Sequence, residues 1–241
     1  MHTPVVFLPG LMCDLRVFAM QLLEFGRDRA VTVAPVTMGE RIEEIASNIL
    51  DRVPPKFALV GLSMGGIVAM EILRRAPDRV TRLALISTNS LAETPQSAAD
   101  YEPMIIKLRS GKLEEAVEGL MPPEHIAAGP GRAAVMAELL EMAGDMGPEA
   151  IIRQIRALQR RRDYQSVLRR CQVPALVLCG DQDNLTPVKR HTLMSELIPY
   201  AKLAVLEGVG HLPTLEAPSA TNDALHSWLK QPFVLQSRVK V

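Results

Sequence analysis

The chain has 241 residues, 48% of them apolar, which suits one sizeable core with an insertion and is short for two domains. Its formal net charge is zero, so no overall field draws it to nucleic acid or to an anionic membrane. It has no apolar run of about 18 residues to span a bilayer, and Cys13, Cys171 and Cys179 lack CxxC spacing, which fits free thiols in a reducing cytoplasm better than a zinc site.

The N-terminal Met-His-Thr-Pro-Val-Val-Phe-Leu has neither a basic segment nor a small-residue cleavage site, and it reads as a first strand over Val5 to Leu8. Further short apolar runs follow at Val31 to Ala34, Phe57 to Val60, Leu83 to Ile86, Ala175 to Leu178 and Leu203 to Leu206. All are predicted as strands buried on both faces. Amphipathic stretches lie between them. Ile42, Ile45, Ala46, Ile49, Leu50 and Val53 mark one helix face, and Ala220, Ala224, Leu225, Trp228 and Leu229 mark another. Strand and helix in alternation predict an α/β fold: a mostly parallel, doubly wound sheet.

The alternation stops once. Between about Leu91 and Arg170 the patterns are helical, broken at Gly111, Pro122-Pro123, Gly129-Pro130-Gly131 and Gly147-Pro148. The expected organisation is a core of residues 1–90 and 171–241 with an all-helical insertion over 91–170. Residues 112–149 hold eight acidic side chains against two basic, and residues 153–170 hold seven Arg against Asp163, so the two halves are expected to pair. Arg160-Arg161-Arg162 reads as a solvated helix end or, alternatively, as a contact for an anionic substrate tail or carrier protein. The insertion also holds Met104, Met121, Met136, Met142 and Met146, which read either as helix core or as the lining of an adaptable cavity. Residues Gln231 to Val241 show no pattern and are expected to fray.

Three segments carry chemistry. Gly61-Leu62-Ser63-Met64-Gly65 sits between the strand Phe57 to Val60 and a helix over Gly66 to Ala76. A turn that sharp needs glycine where a Cβ would strike backbone, and it presents Ser63 outward beside unpaired helix N–H groups. Cys179-Gly180-Asp181-Gln182-Asp183-Asn184-Leu185-Thr186-Pro187 follows the fifth strand, and Gly208-Val209-Gly210-His211-Leu212-Pro213 follows the sixth. Each has an ordinary reading, as an N-cap, an Asp-rich turn and a glycine-rich loop respectively. Together they give Ser, Asp and His in that order, each just past the C-terminal end of a strand, where parallel α/β sheets keep their sites. His2, His125, His191 and His226 have no such context and read as surface or packing residues. Cys13 reads as a buried inert thiol.

On these residues the chain resembles the α/β-hydrolase superfamily over nearly its whole length, in particular the small bacterial carboxylesterases and enol-lactonases with a helical cap. The shared pieces are the Gly61–Gly65 elbow, Gly180-x-x-Asp183 with Thr186-Pro187, Gly210-His211, and Phe7-Leu8-Pro9-Gly10-Leu11-Met12. Pro9 departs from the family's usual histidine. The resemblance implies Ser63 as nucleophile, His211 as base and Asp183 as its partner, with Asp181 as a rival acid. It implies an oxyanion hole from the backbone N–H groups of Leu11 and Met64. It also implies acyl transfer to water without metal or organic cofactor. The partner is a small acyl substrate, free or bound to a carrier protein, and neither nucleic acid nor membrane. The insertion is expected to roof an apolar pocket with Met104, Leu108, Met136 and Leu140. The same triad also serves carbon–carbon bond hydrolases and perhydrolases, and the same fold serves non-catalytic receptors.

Overall fold

In the computed structural model, which describes residues 2–233, apolar runs become strands because alternate side chains find two different cores. The strands are β1 (Val5–Leu8), β2 (Val31–Val33), β3 (Phe57–Leu62), β4 (Val80–Ile86), β5 (Ala175–Gly180) and β6 (Ala201–Leu206). All pairings are parallel, in the order β2-β1-β3-β4-β5-β6. Along β1, Val5 and Phe7 face one hydrophobic cluster and Val6 and Leu8 face the other.

The helices are α1 (Ala19–Phe25), α2 (Ile42–Leu50), α3 (Met64–Arg75), α4 (Pro95–Asp100), α5 (Glu102–Arg109), α6 (Leu113–Leu120), α7 (Arg132–Met146), α8 (Pro148–Gln159), α9 (Gln165–Arg169), α10 (Val188–Leu197), α11 (Pro213–Glu216) and α12 (Pro218–Leu229). Phe25, Leu225 and Trp228 place α1 and α12 on one face of the sheet. Ile42, Ile45, Ile67, Val68 and Met194 place α2, α3 and α10 on the other. The chain between β4 and β5 is helical, with no strand among the described residues. Its apolar faces, including Leu139, Ile151 and Ile155, join the first cluster, whereas Tyr164, Val167 and Leu168 around α9 join the second.

Three expectations are corrected. The edge strands β2 and β6 are not buried on both faces: β2 is half-buried throughout, and Leu203 and Val205 of β6 are 38% and 42% exposed. An edge strand lacks a neighbour on one side, and here helices leave part of its surface open. β4 begins earlier than its apolar run suggests, because Arg82 is accommodated inside. Its guanidinium donates to the Trp228 carbonyl at 3.2 Å and stacks over Phe233. The acidic and basic halves of the insertion do not pair with each other. Arg160 and Arg162 reach Glu40 and Glu43 beside α2, Arg161 reaches Glu93, and Arg156 reaches Glu102. Glu141 and Asp145 instead meet Arg16. Of the segment expected to fray, residues 234–241 lie outside the described residues. No described helix is long and apolar enough to cross a membrane.

At the end of the sheet away from Ser63, Arg79 ties α2 to β3. Its guanidinium donates to the carbonyls of Leu50, Val53, Pro54 and Pro55 at 2.8–3.2 Å, and it lies over the Phe57 ring. Leu50 ends α2, whose last carbonyls have no partner within the helix, and Val53, Pro54 and Pro55 lie in the loop that follows. Arg79→Met is expected to lower unfolding stability by about 1–3 kcal/mol, since several half-buried acceptors lose their donor together. Urea denaturation measures this.

Candidate active site

The loops after β1, β3, β4, β5 and β6 meet at one end of the sheet. Three of them contain the only non-glycine residues with positive φ among the described residues: Met12 at 62°, Ser63 at 52° and Ser87 at 45°. Such backbone costs on the order of 1–3 kcal/mol per residue and persists only where the surroundings impose it. At Ser63 the imposing contacts are visible. A Cβ on Gly61 would lie 2.4 Å from the Gly65 carbonyl oxygen, and one on Gly65 would lie 2.1 Å from the Leu8 carbonyl oxygen. Only glycine permits that approach. The Ser63 amide is fixed by donation to the Ile86 carbonyl at 2.8 Å.

Ser63 Oγ lies 2.9 Å from His211 Nε2, and His211 Nδ1 lies 2.9 and 3.0 Å from the two Asp183 oxygens. The Asp183 and His211 side chains have no solvent exposure. Burial pushes the Asp183 carboxyl up. The charge of and hydrogen bond to His211, with bonds from Thr186, outweigh this and hold it below the usual carboxylate range. Asp183 accepts the amides of Leu185 and Thr186 at 3.0 and 2.8 Å and the Thr186 hydroxyl at 2.6 Å. An ionised Asp183 requires Nδ1 to carry the imidazole proton, which leaves the Nε2 lone pair facing the Ser63 hydroxyl. Asp181 stands apart from this chain. Its carboxylate accepts the amides of Gly208 and Val209, a bond that folds the loop carrying His211.

Leu11 and Met64 line the same cavity as Ser63 and His211, and the amide of neither donates to a protein acceptor among the described residues. The next amide, that of Met12, is held by Gln154 Oε1 of α8 at 3.1 Å. Glu216 steadies the other side of the site by accepting from Ala127, Gly210 and Leu212 at 2.8 Å each. Cys13 is also on the cavity wall, with its thiol pushed up to about 12 by burial first and by the charge of Asp14 second. It is not poised as a nucleophile.

The cavity has a volume of about 380 Å³. The four residues expected to roof it do not. Leu108 is buried among helices, and Met104 packs on Gly119 of α6. Met136 and Leu140 line a separate groove with Glu114 and Val117. Leu108 is part of the first hydrophobic cluster, and Met104, Met136 and Leu140 pack against it. The apolar wall is made instead by Tyr101, Leu120, Met121 and Leu158. A polar wall carries Glu93 and Arg161, paired at 3.1 Å with side chains only 7% and 12% exposed, and Ser97, whose hydroxyl donates to Glu93. Arg161 therefore faces the cavity with its charge already matched. Of the residues that sequence reasoning missed, Gln154 and Glu216 carry no motif signal, and Thr186 was noted only as part of a turn.

The alpha/beta hydrolase family model matches residues 5–224. A pimeloyl-acyl-carrier-protein methyl ester esterase of Photobacterium profundum is 25% identical, covering 92% of this chain and 87% of its own. A thermophilic esterase from Thermogutta terrifontis, solved with malate bound, shares the fold at a TM-score of 0.85 and 24% identity, covering 97% of this chain and 92% of that one. An enol-lactonase from Burkholderia xenovorans does so at 0.84 and 20% identity, covering 96% and 92%. With nearly every strand and helix inside the matched span, the chain belongs to the alpha/beta hydrolase family.

Proposed function

We propose that the protein is a serine hydrolase that cleaves a small carboxylic ester, thioester or lactone through an acyl-enzyme. The observation that carries this reading is the unbroken chain of contacts Ser63 Oγ, His211 Nε2, His211 Nδ1 and Asp183, each about 2.9 Å long, at the wall of one cavity. Ser63 attacks the carbonyl carbon while His211 takes its proton. The developing oxyanion is stabilised by the amides of Leu11 and Met64, a contribution typically worth ~10²–10³ in rate per donor. Asp183 keeps the ring in the Nδ1–H tautomer and stabilises the imidazolium. His211 then protonates the leaving group, activates water, and returns its proton to Ser63 as the acid departs. The helical segment 91–170 acts as a cap whose inner wall selects the acyl group.

A carrier-protein-bound acyl chain is a natural substrate to test. The Photobacterium relative is named for such an ester, and exposed Arg190 stands on the cavity wall where a phosphate-bearing tether would enter.

Turnover of p-nitrophenyl acetate is the primary test, because a non-catalytic receptor gives no multiple turnover. Ser63→Ala should lower kcat by on the order of 10⁶ and leave the fold intact. An organophosphonate should label Ser63 in the wild type, as read by mass spectrometry of the peptides. Labelling elsewhere, or near-normal turnover of the variant, sinks the assignment.

Asp183→Asn should cost ~10⁴ in kcat by stranding His211 in the wrong tautomer. Asp181→Asn should cost far less, because it weakens a loop bond and leaves the imidazole partner in place. Parallel kinetics of the two variants decide between them, and a larger loss at position 181 reverses the roles.

Met121→Ala should widen the acyl side of the cavity. Its discrimination between short and longer p-nitrophenyl esters should shift by roughly 1–3 kcal/mol in kcat/KM, with acetyl-ester turnover little changed. Met136→Ala, outside the cavity, should not change the chain-length preference.

A further inference from the structure

His191 reads from the sequence as a surface or packing residue, yet it joins the two loops that carry Ser63 and Asp183. The ring belongs to α10 and is fully buried. Its Nε2 accepts the Thr88 amide at 3.0 Å. An accepting Nε2 places the ring proton on Nδ1, which faces the Pro187 carbonyl at 3.4 Å. Pro187 directly follows Thr186, whose amide and hydroxyl hold Asp183. On the other side, the Thr88 hydroxyl donates to the Ser63 carbonyl at 2.7 Å. The Thr88 side chain also fills the space beside Gly66, where a Cβ would lie 2.7 Å from Thr88 Cβ. The contacts run without a gap from Asp183 through Thr186, Pro187, His191 and Thr88 to Ser63.

A buried imidazole is a poor choice for filling space alone, since its second polar nitrogen also has to be satisfied. Building on the serine hydrolase reading above, we infer that His191 and Thr88 are positioning residues that hold the Ser63 backbone in register with the Asp183 loop. The Thr88 bond restrains a serine whose φ of 52° would otherwise relax. A shift of about 1 Å between nucleophile and base can cost roughly a hundredfold in rate.

The role requires a neutral ring. Burial, partly offset by the negative charge of Asp183 and the Pro187 carbonyl and reinforced by His211, pushes His191 down to about 4. An unfolded chain binds that proton at about pH 6.5. Between about pH 6.5 and pH 4 the unfolded state therefore holds more protons, so stability falls as pH falls through that window. Protonation would set an Nε2–H donor against the Thr88 N–H donor.

Three variants test the inference. His191→Phe keeps the ring and removes the acceptor, His191→Gln keeps an acceptor near Nε2, and Thr88→Val removes the hydroxyl. His191→Phe and Thr88→Val are each expected to lower kcat roughly ten- to a hundredfold with KM changed less than about twofold. His191→Gln should recover most of the loss. The double variant should lose little more than the worse single one, because both break the same chain. In the wild type, ¹⁵N spectra should show His191 as the Nδ1–H tautomer without titration between about pH 8 and pH 5. Normal kcat in His191→Phe and Thr88→Val, with only a lowered melting temperature, would reduce His191 to a satisfied core histidine. An Nε2–H tautomer or titration in that range would overturn the inference even if a variant did not fold. A wild type that neither turns over esters nor labels at Ser63 would instead refute the hydrolase reading, a separate outcome.

Discussion

The site depends on how closely the first turn of α3 lies against the end of β1. With the Gly65 Cα where a side chain would stand 2.1 Å from the Leu8 carbonyl oxygen, the helix N-terminus is pressed onto the loop that carries Leu11. That contact brings the two unpaired amides of Leu11 and Met64 into one cavity. It also leaves Ser63 no ordinary backbone conformation. The strain falls on one residue and is opposed by the whole of α3, whose residues from Met64 through Leu73 are buried. Local strain of this kind survives because the surrounding packing is worth far more than the 1–3 kcal/mol or so it costs.

Charge in the site is handled by giving each loop its own acceptor. Asp183 holds its own turn and the His211 ring, Asp181 folds the Gly208–Val209 bend, and Glu216 collects three amides around Gly210 and Leu212. Of these three carboxylates, Asp183 is the one that is both buried and bonded to an ionisable ring. Against burial, His211 first, and the bonds from Thr186 after it, hold the carboxyl below the usual carboxylate range, while the Leu185 amide helps fix its orientation. The three carboxylates therefore differ in environment, and the difference comes from backbone geometry as much as from side chains.

What the sequence makes legible is what is local. Unbroken apolar runs in β1, β3, β4 and β5, and glycines at tight turns, are properties of a few consecutive residues, and all could be read before any contact was known. Ser63, Asp183 and His211 were also locatable, since each follows a strand end by one to five residues. Edge exposure of β6, the acceptors of Arg156 and Arg160–Arg162, and the facing of Met136 and Leu140 were not, because each depends on which distant element is a neighbour. Helical periodicity says that Met104, Leu108, Met136 and Leu140 lie on apolar faces. It does not say whether those faces close on one another or on the catalytic end, and here they close on one another.

Gln154 shows how distant elements can bear on the reacting centre. It is fully buried in α8, with Oε1 on the Met12 amide and Nε2 toward the Val36 carbonyl. Met12 follows Leu11 and itself sits at φ 62°, a conformation its side chain would not choose alone. Withdrawing α8 would leave a buried amide without an acceptor, at about 1–3 kcal/mol. The helical segment and the loop after β1 consequently move together or at that cost. Leu158, one turn further along α8, lines the cavity. One helix thus both lines the cavity, through Leu158, and holds the loop after β1, through Gln154.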